Sequence, residues 1–188
     1  MVKEIDGGVT APKGFEAASA DASIKYKDRD DMALIYSSAR CVCAGTFTKN
    51  VVKAAPVIYD MAIVDANSPV SAVLINAGIA NACTGDEGLM SCSKTAEYVK
   101  EKLAIKGSKV AVASTGVIGP QLPIDKLIAG IDKLCGRLSD SRGAASAAAR
   151  AIMTTDTMPK ECAVTFEIGG TTVTVGAMTK GSGMIHPN

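Results

Sequence analysis

Aromatic residues make up 4% of this sequence, tryptophan is absent, and there is one histidine in 188 residues. Lysine and arginine number 20 against 19 acidic residues, a net charge of +1. No basic cluster interleaved with aromatics stands out, so the footprint expected of a nucleic-acid binder is missing. The single imidazole, His186, lies near the end of the sequence and reads as an exposed loop residue. Ser-His-Asp and Cys-His catalysis therefore lack their usual base. No G-x-x-x-x-G-K-[ST] phosphate loop occurs, and Lys180-Gly181-Ser182-Gly183 is too short a pattern to replace it. Long apolar runs are also missing: Val70 to Ala80 is broken by Ser71, Asn76 and Gly78, which excludes a membrane-spanning segment there. The opening Met1 to Gly8 has no apolar core and carries Glu4 and Asp6, so it does not read as a secretory or transit signal, and a cytoplasmic address is expected. Of six cysteines only Cys41 and Cys43 are close, at a spacing that is not C-x2-C. With one histidine available, no metal site is expected, and the thiols read as reduced core residues.

What is present is apolar. Hydrophobic residues make up 47% and charged residues 21%, with mean hydropathy +0.21, so the chain must bury a core, and residues 1–188 read as one domain. The first thirty residues read as turn-rich, with Gly7-Gly8 and Pro12-Lys13-Gly14. Strands are expected over Met32–Tyr36, Val42–Thr48, Pro56–Val64 and Val70–Asn76. Leu89, Cys92, Ala96, Val99 and Leu103 then recur at helical spacing behind a Thr84/Glu87 capping box, with Gly107 as the stop. Lys109–Ala113 reads as a strand, and Leu127, Ile131, Leu134 and Leu138 as the apolar face of a second helix starting near Pro123. Ala144–Met153 reads as a small-residue helix, and Ala163–Ile168 with Thr171–Val175 as a hairpin around Gly169-Gly170, with Val164, Phe166 and Ile168 on one face. The pattern is mixed α and β without repeats.

Four polar, small-residue segments interrupt the apolar sequence: Asn76–Gly85, Ser114–Gly119, Thr154–Thr157 and Lys180–Gly183. The acid pairs Asp30-Asp31 and Asp86-Glu87 read as a solvated turn and a helix N-terminus. One catalytic plan suits such loops without a histidine. An N-terminal threonine, serine or cysteine can use its own α-amine as base, with hydroxyl and amide donors forming an oxyanion hole.

The segments Asn81-Ala82-Cys83-Thr84-Gly85, Ser114-Thr115-Gly116-Val117-Ile118-Gly119, Ala151-Ile152-Met153-Thr154-Thr155-Asp156-Thr157 and Lys180 to Asn188 resemble the α chain of the ornithine acetyltransferase family, bifunctional enzymes of arginine biosynthesis. Gly7 to Phe15 and Ala54-Ala55-Pro56-Val57 match the family's opening, so the likeness covers essentially the whole chain in order. The resemblance implies a layered α/β sandwich with sheets packed between helices, similar to aminopeptidases with an N-terminal nucleophile. It implies a precursor that cleaves itself shortly after Met184-Ile185-His186-Pro187-Asn188, so that the nucleophilic threonine begins a β chain and the assembly is α2β2. Burial against that β chain would account for the apolar composition.

By the same resemblance, Thr115 and Gly116 form the oxyanion hole, and Thr154 and Lys180 bind substrate. The implied reaction moves acetyl from N2-acetylornithine to the threonine and then to glutamate. Some members also accept acetyl-CoA as donor, and no metal or organic cofactor is required. One departure stands out: the family's Asn-Ser-Gly-Asn-Ala-Asn-Ala is here Asn76-Ala77-Gly78-Ile79-Ala80-Asn81-Ala82, which removes two polar side chains that would matter if the loop lined the pocket. The alternatives are a hydrolase subunit on the same architecture and a catalytically silent structural subunit.

Overall fold

Runs of consecutive buried residues along four strands build the centre of the protein, whose residues 1–182 are described by a computed structural model. β2 (Phe15–Ala20), β3 (Met32–Cys41), β4 (Val70–Ile79) and β5 (Lys109–Val117) form one sheet in that order, antiparallel except for the parallel pair β4–β5. The parallel pair requires a crossover, and α2 (Gly85–Lys102) supplies it. One sheet face carries Ala18, Ala20, Met32, Leu34, Ala72, Leu74, Val110 and Val112. Against it pack Cys92, Ala96 and Val99 of α2 and Leu127, Ile131 and Leu134 of α3 (Ile124–Cys135). On the opposite face, Ala17 and Ala33 meet Ala148, Ala151 and Ile152 around α4 (Arg142–Ala151). The alanines of α4 let it lie close to β2 and β3, and Ser141 caps it by accepting the Ala144 N–H at 3.2 Å.

A second sheet, ordered β1 (Lys3–Ile5), β6 (Lys160–Ile168), β7 (Thr171–Thr179), is antiparallel throughout. Gly169 and Gly170, at φ +56° and +78°, form its two-residue turn, a geometry that side chains with a Cβ adopt poorly. Arg142 joins this sheet to α4 by ion pairs to Asp6 (3.0 Å) and Glu161 (2.9 Å). Its outer face stays open: Val164 and Phe166 are half-buried, Ile168 is 61% exposed and Val175 45%. Among the described residues, only the larger sheet therefore has helices on both sides.

Four local expectations change. Pro56–Val64 is not a strand but α1 (Ala55–Asp65), with Pro56 in its first turn. Val42–Thr48 has no regular structure: β3 ends at Cys41, and Val42 is fully exposed. Residues expected to be only turns contain β1 and β2. Thr84 is the N-cap residue of α2, but its hydroxyl donates to Asn81 Oδ1 at 2.7 Å, so no capping box forms. Among the cysteines only Cys92 is buried, while Cys83 and Cys162 are exposed. No helix among the described residues is long and apolar enough to cross a membrane.

Candidate active site

The segment Ser114–Gly119, expected as a loop, begins as strand: β5 runs on through Val117 with Thr115 opposite Ala77 and Gly116 opposite Gly78. Both glycines have positive φ, +137° at Gly116 and +117° at Gly78. A Cβ on Gly116 would overlap the carbonyl carbon and oxygen of Gly78, so only glycine lets the two backbones meet. Beyond them the strand ends remain braced, with Ala80 N–H donating to Val117 O (2.9 Å) and Gly119 N–H to Ala82 O (3.0 Å). Thr115 and Gly116 thus sit half-buried on a stiff double strand end, not a mobile loop.

Asn76 stiffens the same corner. Its Oδ1 accepts the Ser114 hydroxyl at 2.7 Å and its Nδ2 donates to Ile79 O at 2.9 Å, with the residue 4% exposed. Asn81, fully buried, donates to Gly88 O and to Cys92 Sγ. Both asparagines therefore work inside the fold. Ala77 is fully buried and Ile79 packs against the main core, so the two departures from the family motif fall on packing positions.

A turn spanning residues 21–31 ties this corner to the next segment. Asp31, expected in a solvated turn, is fully buried. Its carboxylate accepts the N–H groups of Ala22 (2.8 Å) and Ile24 (2.7 Å), which makes it a turn anchor. Burial pushes its pKa up, against the opposing pull of those two N–H donors. Its carbonyl accepts Ala77 N–H at 2.8 Å. Arg29, with its guanidinium 4.4 Å from the Tyr26 ring centroid, donates to Met153 O at 2.7 Å, next to Thr154.

Thr154 and Lys180 are brought together by a residue not singled out from the sequence, Asp156. One of its oxygens accepts Thr154 N–H at 3.3 Å; the other accepts Gly181 N–H and the Lys160 ammonium, the latter at 3.0 Å. Lys180 Nζ lies 3.9 Å from the first oxygen. Burial alone would raise the carboxyl's pKa, but these donors and the two cations together hold it down at about 2. No hydrogen bond or ion pair among the described residues joins Thr115 or Gly116 directly to Thr154 or Lys180; the connection runs through Asp31 and Arg29. His186 and the rest of the motif from Gly183 onward lie outside the described residues. Among the described residues no group of three or more His, Cys, Asp or Glu side chains could hold a metal.

The model of the ArgJ family matches residues 16–188. The chain belongs to the ArgJ family. It is 50% identical over 184 residues to the arginine biosynthesis bifunctional protein ArgJ of Symbiobacterium thermophilum, covering 97% of this chain and 45% of that protein. The chloroplastic ArgJ of Citrullus lanatus is 46% identical over 187 residues, covering 99% of this chain and 41% of the relative. This chain thus spans less than half the length of these curated ArgJ relatives. Two solved structures match it end to end. A chain of ArgJ from Bacillus halodurans superposes with TM-score 0.93 at 39% identity, covering 100% of this chain and 97% of the other. Ornithine acetyltransferase from Mycobacterium tuberculosis, complexed with ornithine, superposes at 0.92 and 39%, covering 100% and 99%. The mixed α/β architecture with its two sheets is therefore that of ArgJ structures.

Proposed function

We propose that this chain is the half of an acetyltransferase that supplies the oxyanion hole and the substrate-carboxylate site, completed by the polypeptide that follows it in longer ArgJ proteins. The observation that carries the reading is the Gly78–Gly116 contact, which fixes Thr115 and the Gly116 amide at a braced strand end. An oxyanion hole needs donors that do not reorganise as charge develops.

The threonine nucleophile begins the following chain, and its own α-amine accepts the hydroxyl proton as oxygen attacks the acetyl carbonyl of N2-acetylornithine. Negative charge grows on the carbonyl oxygen, where the Thr115 hydroxyl and the Gly116 N–H donate to it. Each donor contributes about 3 kcal/mol in comparable sites. Collapse breaks the amide C–N bond, the proton passes to the departing ornithine amine, and acetyl remains as a threonine ester. Glutamate's amine then attacks that ester through the same hole. Both amino acids carry an α-carboxylate, and Lys180 offers it an ammonium while Thr154 offers a hydroxyl.

The assembly in this reading is α2β2, residues 1–188 are one domain, and the location is the cytoplasm of the source cell. The test is acetyl transfer from N2-acetylornithine to glutamate by the full-length gene product, which should follow ping-pong kinetics. Acetyl passing to water in place of glutamate would favour the hydrolase reading.

A further inference from the structure

Asp156 carries a buried charge at a place where three chain segments meet. Its side chain is 2% exposed, and an unpaired carboxylate so placed would be costly. Its donors come from the segment after α4 (Thr154 N–H), from the first residue of β6 (Lys160 Nζ), and from the residues just past β7 (Gly181 N–H, Lys180 Nζ). The β6–β7 register explains the convergence, because Lys160 lies opposite Thr179, so the residues after β7 emerge beside the start of β6.

The two lysines divide the work. Lys160, at 3.0 Å, is the close counter-ion, whereas Lys180 stands back at 3.9 Å and, among the described residues, hydrogen-bonds only its neighbour's carbonyl, Gly181 O, at 2.9 Å. Two ammonium groups against one carboxylate leave one net positive charge, which a substrate carboxylate neutralises. A carboxylate satisfied by Lys160 and two amides can thus orient Lys180 without consuming it.

We propose that Asp156 is the positioning residue of the carboxylate-binding site, holding the Lys180 ammonium toward the substrate carboxylate without touching substrate itself, while its bond to the Thr154 N–H serves only to anchor Asp156. This rests on the acetyltransferase reading above. The inference differs from a plain structural staple in one respect: the effect of Asp156 must pass through Lys180.

The experiment is a double-mutant cycle in the full-length precursor with Asp156→Asn, Lys180→Met and the pair, following KM and kcat for N2-acetylornithine. Asp156→Asn should raise KM about tenfold with kcat within about threefold of wild type, and should add less than about twofold in the Lys180→Met background. An unchanged KM, or effects that multiply in the double variant, would overturn the proposal. If Asp156→Asn fails to fold, Asp156→Glu enters the same cycle under the same criterion. A wild-type precursor that transfers no acetyl contradicts the acetyltransferase reading itself; an active wild type with independent effects contradicts only the role of Asp156.

Discussion

The two halves of the candidate site are held by different physics. Around Thr115 and Gly116 the positions come from backbone: a parallel strand pair, two glycines in contact, and two further main-chain hydrogen bonds. Around Thr154 and Lys180 they come from one buried carboxylate and the donors it gathers. Backbone geometry suits a group that must not move as charge develops, while ionic positioning suits a group that must exchange one carboxylate for another. The first half should therefore fail by steric insult and the second by loss of charge.

Gly116→Ala is the severest test of the backbone half. Its Cβ has no room against the Gly78 carbonyl at φ +137°, so thermal unfolding should show a loss of about 3 kcal/mol or more, with acetyl transfer abolished. A wild-type melting temperature would mean that the strand ends are not rigid. Thr115→Ala removes a donor without adding volume, so kcat should fall by about 10²–10³ while the assembled mass is unchanged. A wild-type rate would leave the silent-subunit reading standing.

Acid should reach the ionic half selectively. The Asp156 carboxyl is held at about 2 in the folded protein, below the unfolded range near 4, so its contribution is complete above about pH 4 and is lost as pH falls through about 2. The stability difference between wild type and Asp156→Asn should shrink over that window; a constant difference would show that charge is not what Asp156 contributes. The smallest effect concerns Asp60 of α1, which accepts the Val112 N–H of edge strand β5 at 3.0 Å. Burial pushes it up to about 6, so the folded state holds the proton more tightly than the unfolded chain, and stability declines as pH rises from about 4 through 6. Asp60→Asn keeps an acceptor for Val112, so it should gain about 1–2 kcal/mol at pH 7.5 and nothing below about pH 4 in denaturant titrations.

Helices whose one face meets the core were legible, because Leu127, Ile131 and Leu134 recur at the helical period and are all buried. α1 was not, since Ala55–Asp65 is apolar nearly all round and rich in β-branched residues; Pro56 in its first turn was the available signal. β2 was hidden because its Phe15-Glu16-Ala17-Ala18-Ser19-Ala20 has little side-chain volume and is stabilised by pairing with β3 and packing under α3 and α4. The site residues Thr115, Gly116, Thr154 and Lys180 were accessible only through motif resemblance. Their supports, Asp31, Arg29 and Asp156, were not: the donors to the Asp31 carboxylate, Ala22 and Ile24, are backbone N–H groups invisible in a residue pattern, while Arg29 reaches Met153 124 positions on and Asp156 reaches Gly181 25 positions on.

The most direct measurement is the intact mass of every polypeptide in the purified full-length gene product after addition of N2-acetylornithine without glutamate. The account predicts that a polypeptide beginning with threonine gains one acetyl group, that the chain described here gains none, and that glutamate removes the acetyl as N-acetylglutamate. A threonine chain that stays unmodified in the absence of glutamate, or acetyl carried by residues 1–188, would contradict it.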